Sequence, residues 1–187
     1  MRNCGMVDPL LEPDFAVCTK RVADVADLLE CLIQIKGLAD TPRRLAQRAA
    51  ELASSPSSPA TAVDGGVETA RRLLAAETQF RGALSLMLTR DRPALAVLPG
   101  DAMAGTSPAT GVPGESFDAC QRAFEAERAE TVRLLDACSA DQLNRKGNDP
   151  LRGPITVADL VAAMLANDTD RLGDLVVQQT GDTDSGS

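Results

Sequence analysis

The sequence predicts an all-α protein: a bundle of four long helices, with an irregular N-terminal arm and a long loop between the second and third long helices. Three observations predict it. Apolar residues recur at helical spacing in several long stretches, and nowhere do they alternate as in a strand. Segments rich in Gly, Pro and Ser separate those stretches. The 187 residues include four Phe, no Trp and no Tyr, so the core must be built from Leu, Val, Ile, Ala and Met. With Ala abundant, that set favours packed helices over a sheet. A chain of this length can bury roughly two-thirds of its unfolded surface in one core. The expected organisation is an arm at 1–18, one helical domain at 19–180 and a polar tail at 181–187.

In the arm, Pro9 and Pro13 argue against regular structure. From Lys20 to Gln34, the residues Val22, Val25, Leu28, Leu29, Leu32 and Ile33 recur at helical spacing. Gly37 is expected to end or bend that helix. Asp40-Thr41-Pro42 reads as a fresh start, with Pro at the first helical position, and the segment to Leu52 is a continuation or a second helix. The Ser/Pro run 54–59, closed by Asp64-Gly65-Gly66, reads as a loop. The second bundle helix then spans about Val67–Thr89, with Leu73, Leu74, Phe80, Leu84, Met87 and Leu88 on one face.

Residues 99–114 form the longest stretch without pattern, and a loop of that length in a compact domain is mobile or functional. Phe117–Cys138 is the third helix, striped by Phe117, Cys120, Phe124, Val132, Leu135 and Cys138. Ser139 and Gln142 have capping-box spacing. The fourth helix starts at Thr156, with Asp159 in the reciprocal capping position and Ile155 placed to staple onto Leu160, and runs to about Gln178.

Composition excludes several functions. There is no histidine, so neither a histidine-ligated metal nor a histidine base is available. A net charge of −8 and a pI near 4.6 oppose nucleic acid and anionic membranes as partners. The five cysteines have no C-x-x-C spacing, and Cys31, Cys120 and Cys138 fall in apolar helical patterns, where thiols pack as small hydrophobes. No phosphate-binding glycine loop, nucleophile elbow or calcium loop occurs. With no leader before residue 20 and no membrane-length apolar run, a cytoplasmic location is expected.

The candidate site residues are polar groups on apolar helix faces. On the last helix, Asp168 falls near the centre of the stripe Val157, Leu160, Val161, Met164, Leu172 and Leu175, with Arg171 on the same face and Asn167 at its edge. A buried carboxylate needs a cation or several donors, and Arg171, three residues on, lies within helical reach. The pair either fixes helix register or lines a cavity between helices. Glu77 interrupts the second helix in the same way, with Arg81 four residues later as its partner.

The segment Gly153-Pro-Ile-Thr-Val-Ala-Asp-Leu-Val-Ala-Ala-Met-Leu-Ala-Asn-Asp-Thr-Asp-Arg-Leu172 resembles the final-helix signature of DinB-like proteins. Leu134 to Leu143, and Leu73 to Glu77 followed by Phe80-Arg81 and Asp91-Arg92-Pro93, resemble other stretches of that family, over about residues 20–180 in all. The resemblance implies a four-helix bundle and, in typical members, a divalent metal on three histidines, one from the second helix and two from the fourth. Here Arg72, Asn167 and Arg171 fall at those positions. Arginine is a permanent cation and no ligand.

The resulting expectation is a metal-free, cofactor-free DinB-like bundle. It binds a small organic molecule, an anion by preference, in the pocket where relatives hold the metal, through Arg72, Asn167, Asp168 and Arg171. Whether it also transforms that molecule is open. The alternatives are a metal-independent isomerase, transferase or cyclase using Asp168 or Glu77 as acid or base, and a purely structural dimerising bundle. Homodimerisation is expected from the wide apolar faces of the second and third helices and from the family's habit of pairing helices across a two-fold axis.

Overall fold

In a computed structural model, residues 15–54, 59–99 and 116–180 are described. They form helices α1 (Phe15–Ala53), α2 (Pro59–Thr89), α3 (Phe117–Asp136), α4 (Ala140–Leu143) and α5 (Val157–Thr180). Strands β1 (Lys146–Asp149) and β2 (Gly153–Thr156) make an antiparallel hairpin before α5. The four long helices pack on one another as a bundle. Most of the arm, the Ser/Pro loop at 55–58, the long loop at 100–115 and the tail lie outside the described residues.

Three boundaries differ from expectation. The first helix does not break at Gly37 or restart at Pro42 but continues to Ala53. Tertiary packing overrides the local signals. Gly37 is where α5 crosses closely, and a Cβ there would sit 3.2 Å from the Leu165 side chain. Pro42 gives up one backbone donor inside the helix yet is buried. The second helix begins at Pro59, so Gly65-Gly66 lies inside it, with Gly66 packed beside Phe117 and Ala49.

The third difference is the hairpin. Its strands are four residues each, too short for a period-two pattern to register. It docks on the end of α2. Leu95 N–H donates to the Asn148 carbonyl, and Arg145 donates to the carbonyls of Met87 (2.8 Å) and Arg90 (2.7 Å). A cation on the open C-terminal carbonyls of a helix is favourable by charge and by hydrogen bonding. Gly147 permits this docking, because a Cβ there would come within 2.9 Å of Leu95 and 3.0 Å of Met87.

The start signals of α4 and α5 hold. Ser139 and Gln142 form the capping box of α4. At α5, the Thr156 hydroxyl accepts from the Asp159 amide (3.0 Å) while the Asp159 carboxylate accepts from the Thr156 amide (2.7 Å).

The apolar interior falls into two clusters. One holds Leu38, Phe80, Leu84, Leu135, Leu160 and Met164; the other holds Leu45, Leu73, Phe124, Leu172 and Leu175. On every long helix a buried polar residue sits between members of the two: Thr41 on α1, Glu77 on α2, Arg128 on α3 and Asp168 on α5. The bundle is two apolar layers with a polar layer between them.

Candidate functional site

The polar layer centres on Arg128, which is 2% exposed. Its guanidinium grips Asp168 with two parallel hydrogen bonds, Nη1 to Oδ2 at 2.8 Å and Nη2 to Oδ1 at 3.1 Å. The same Nη2 lies 2.8 Å from Glu77 Oε2. Arg128 and the Thr131 hydroxyl both favour the charged form of Glu77. Thr41 completes the set by donating to Asp168 Oδ2 at 2.8 Å. Thr131 is buried in the same layer; its hydroxyl lies 3.2 Å from the Glu127 carbonyl and also meets the Glu77 carboxylate. Below the guanidinium, the Phe124 ring centroid lies 5.0 Å from Arg128 Cζ, a cation–π distance.

Two carboxylates face one guanidinium, leaving one excess negative charge in the interior. Burial raises the pKa of both Glu77 and Asp168 above the ordinary carboxylate range, with Arg128 opposing the shift in each case. The hydrogen bonds to Asp168 from Arg128 and Thr41 favour its charged form against that burial.

A raised folded-state pKa means that the native protein binds protons more tightly than the unfolded chain. The contribution of such a group is therefore fully present below the ordinary carboxylate range and is lost as pH rises through the shifted value. Melting temperatures of wild type and Glu77→Gln, measured from pH 4 upward, should show the variant gaining on wild type as pH rises. A gain in the opposite direction would show that Glu77 is stabilised as the anion.

The expected site residues separate into three groups. Asp168 and Glu77 are brought together, both buried, although their expected partners were wrong. Arg171 is half-buried and leans to Asp174 at 3.7 Å, because the Asp168 carboxylate turns inward where Arg128 and Thr41 occupy it. Arg81 pairs with Glu127 of α3 at 2.6 Å rather than with Glu77. Arg72 is exposed and paired with Glu68 at 2.8 Å, away from the layer. Asn167 is buried, and its amide nitrogen has no hydrogen-bond partner among the described residues. The residue sequence reasoning missed is Arg128. Its signal was present: the buried positions of α3 are Cys120, Phe124, Arg128, Thr131 and Leu135, a helical stripe in which the arginine fills the turn after Phe124.

Two clefts flank the layer. One, of about 720 Å³, opens between α1 and α3, with Ala39, Pro42 and Arg43 on one wall and Gln121, Glu125, Ala129, Val132 and Arg133 on the other; Arg128 reaches its floor. A smaller one, of about 350 Å³, lies between α1 and α5 beside Arg44, Thr169 and Leu172. Glu77 and Asp168 line neither. Burial pushes the Cys31 and Cys138 thiols up, as expected of packing residues rather than nucleophiles.

The divalent metal that the resemblance implies does not fit the residues present. The only two carboxylates of the layer, Glu77 and Asp168, are bridged by a guanidinium, whose fixed charge sits where an ion would have to bind. No group of three or more His, Cys, Asp or Glu able to hold a metal occurs among the described residues.

No family model and no curated protein matches the chain. Among solved structures, YfiT from Bacillus subtilis, described as "a probable metal-dependent hydrolase with an unusual four-helix bundle topology", is similar. The TM-score is 0.58 at 15% identity, covering 80% of this chain and 87% of that one. At that identity the likeness is one of fold. Taken with the helix order above, it shows that this chain has the DinB-like four-helix-bundle fold.

Proposed function

We propose that this protein is a metal-free DinB-like bundle that binds a small organic molecule, an anion by preference, in the cleft between α1 and α3. The cleft itself is the observation that carries the reading. Its volume of about 720 Å³ is within the range of small-molecule sites, roughly 300–1,000 Å³. Ala39, Pro42, Ala129 and Val132 supply apolar wall; Arg43 and Arg133 stand on opposite sides, ion-paired with Asp40 and Glu130, so an anion would compete with those carboxylates and with Glu125 and Asp136 of the lining. Arg128 of the polar layer forms part of its floor. Glu77 and Asp168 do not line this cleft, so neither is placed to exchange a proton with a molecule bound in it.

The test is a thermal-shift screen of organic carboxylates and phosphate esters against wild type and Ala129→Trp, whose indole would fill the cleft from an exposed position. A ligand at a hundred times its Kd stabilises by about 2.7 kcal/mol, so a rise of about 5–10 °C is expected in wild type and none in the variant. A rise that persists in Ala129→Trp would place the site elsewhere. No rise with any compound would favour the purely structural reading.

A homodimer is also proposed, on a different surface from the one the sequence suggested. The stripes of α2 and α3 are covered within the bundle, whereas Leu29 (58% exposed), Leu32 (43%) and Ile33 (61%) stand out from α1. Light scattering should return twice the chain mass for wild type and a lower mass for Leu29→Lys/Ile33→Lys. A monomer mass for wild type at high concentration would end the proposal.

A further inference from the structure

The middle layer gathers oxygen donors from four helices: the carboxylates of Glu77 and Asp168 and the hydroxyls of Thr41 and Thr131. Hard oxygen donors converging in this way are the set that Mg²⁺, Mn²⁺ or Ca²⁺ takes. Arg128 enters from α3, which has no carboxylate in the layer, and its Nη2 touches oxygens of both α2 and α5. It is planar, permanently charged and held on its Phe124 side by the ring.

We propose that Arg128 is a tethered cation filling what would otherwise be a divalent-cation site: it cross-links α2 and α5 as a bound ion would, and cutting it away uncovers a site for such an ion. The bundle is then permanently in its cross-linked form, independent of metal supply. This deepens the metal-free half of the proposed function. The two fail differently: metal bound to wild type sinks that reading, whereas no metal in the arginine-deleted variant sinks only this one.

The experiment uses the full chain as wild type, Arg128→Ala, Arg128→Lys and Arg128→Ala/Asp168→Asn, with Mn²⁺ as the probe. Bound metal is measured after desalting, and melting is followed with and without Mn²⁺. Wild type and Arg128→Lys should bind none and keep their melting temperatures. Arg128→Ala should bind about one Mn²⁺ per chain, and at a hundredfold excess over its Kd should rise by about 5–10 °C. Removing one carboxylate as well should abolish the uptake. If Arg128→Ala is unfolded without metal, helical circular dichroism that recovers only with Mn²⁺ supports the proposal. An Arg128→Ala chain that takes no Mn²⁺, that stays unfolded with it, or that takes it equally well with Asp168 replaced overturns it.

Discussion

Arg128→Ala should lower the melting temperature by roughly 10 °C or more in metal-free buffer, while Arg171→Ala should leave it almost unchanged. Arg128 is 2% exposed and is in direct contact with two buried carboxylates. Deleting one partner of a buried charge pair costs about 3–5 kcal/mol, because the remaining charge has neither water nor a counter-ion. For a domain of this size each kcal/mol moves the melting temperature by about 2–4 °C. Arg171, by contrast, makes only a 3.7 Å contact to the exposed Asp174, and such pairs contribute roughly 0–1 kcal/mol. Replacing the whole cluster with neutral groups of similar shape, as in Glu77→Gln/Arg128→Met/Asp168→Asn, should cost much less than Arg128→Ala, since no buried charge is left behind. Thermal melts of the three variants decide this, and equal losses for Arg128→Ala and Arg171→Ala would contradict the burial of the cluster.

Phe124→Ala should be of similar size, with a loss of about 3–5 kcal/mol. Phe124 is fully buried, one of four aromatic residues in the chain. Its removal opens a cavity in the cluster with Leu45, Leu73 and Leu172, and also withdraws the ring from Arg128. Phe124→Leu separates the two effects. It keeps most of the volume but loses the π face, worth about 0.5–2 kcal/mol under a partly desolvated cation. Denaturant unfolding should therefore place Phe124→Leu between wild type and Phe124→Ala. A leucine variant as stable as wild type would mean that the ring acts by volume alone.

The four long helices were legible because their apolar stripes are long and end at readable caps, as at Thr156 and Asp159. Gly37, Pro42 and Gly65-Gly66 misled because they are local breakers in helices held by tertiary contacts, which a periodicity argument does not weigh. Asp168 and Glu77 were visible as polar interruptions of apolar faces. Their partner was not, because sequence proximity favours residues three or four places away, Arg171 and Arg81, whereas the bundle supplies Arg128 from 40 positions before Asp168. Helical spacing tells which side chains share a face; it does not tell which faces meet. Reading α3 by register, with Arg128 in line with Phe124 and Leu135, recovers the missing cation.

The most direct test of the shared cluster is a double-mutant cycle between Arg128→Met and Asp168→Asn, followed by denaturant unfolding at neutral pH. If the two side chains form one buried unit, the double variant should be more stable than the sum of the single losses predicts, by at least about 1 kcal/mol, within the range for directly contacting residues. Losses that add to within about 0.3 kcal/mol, as they do for distant sites, would show that Arg128 and Asp168 do not act on each other, and the polar layer would have to be abandoned as the organising feature of this bundle.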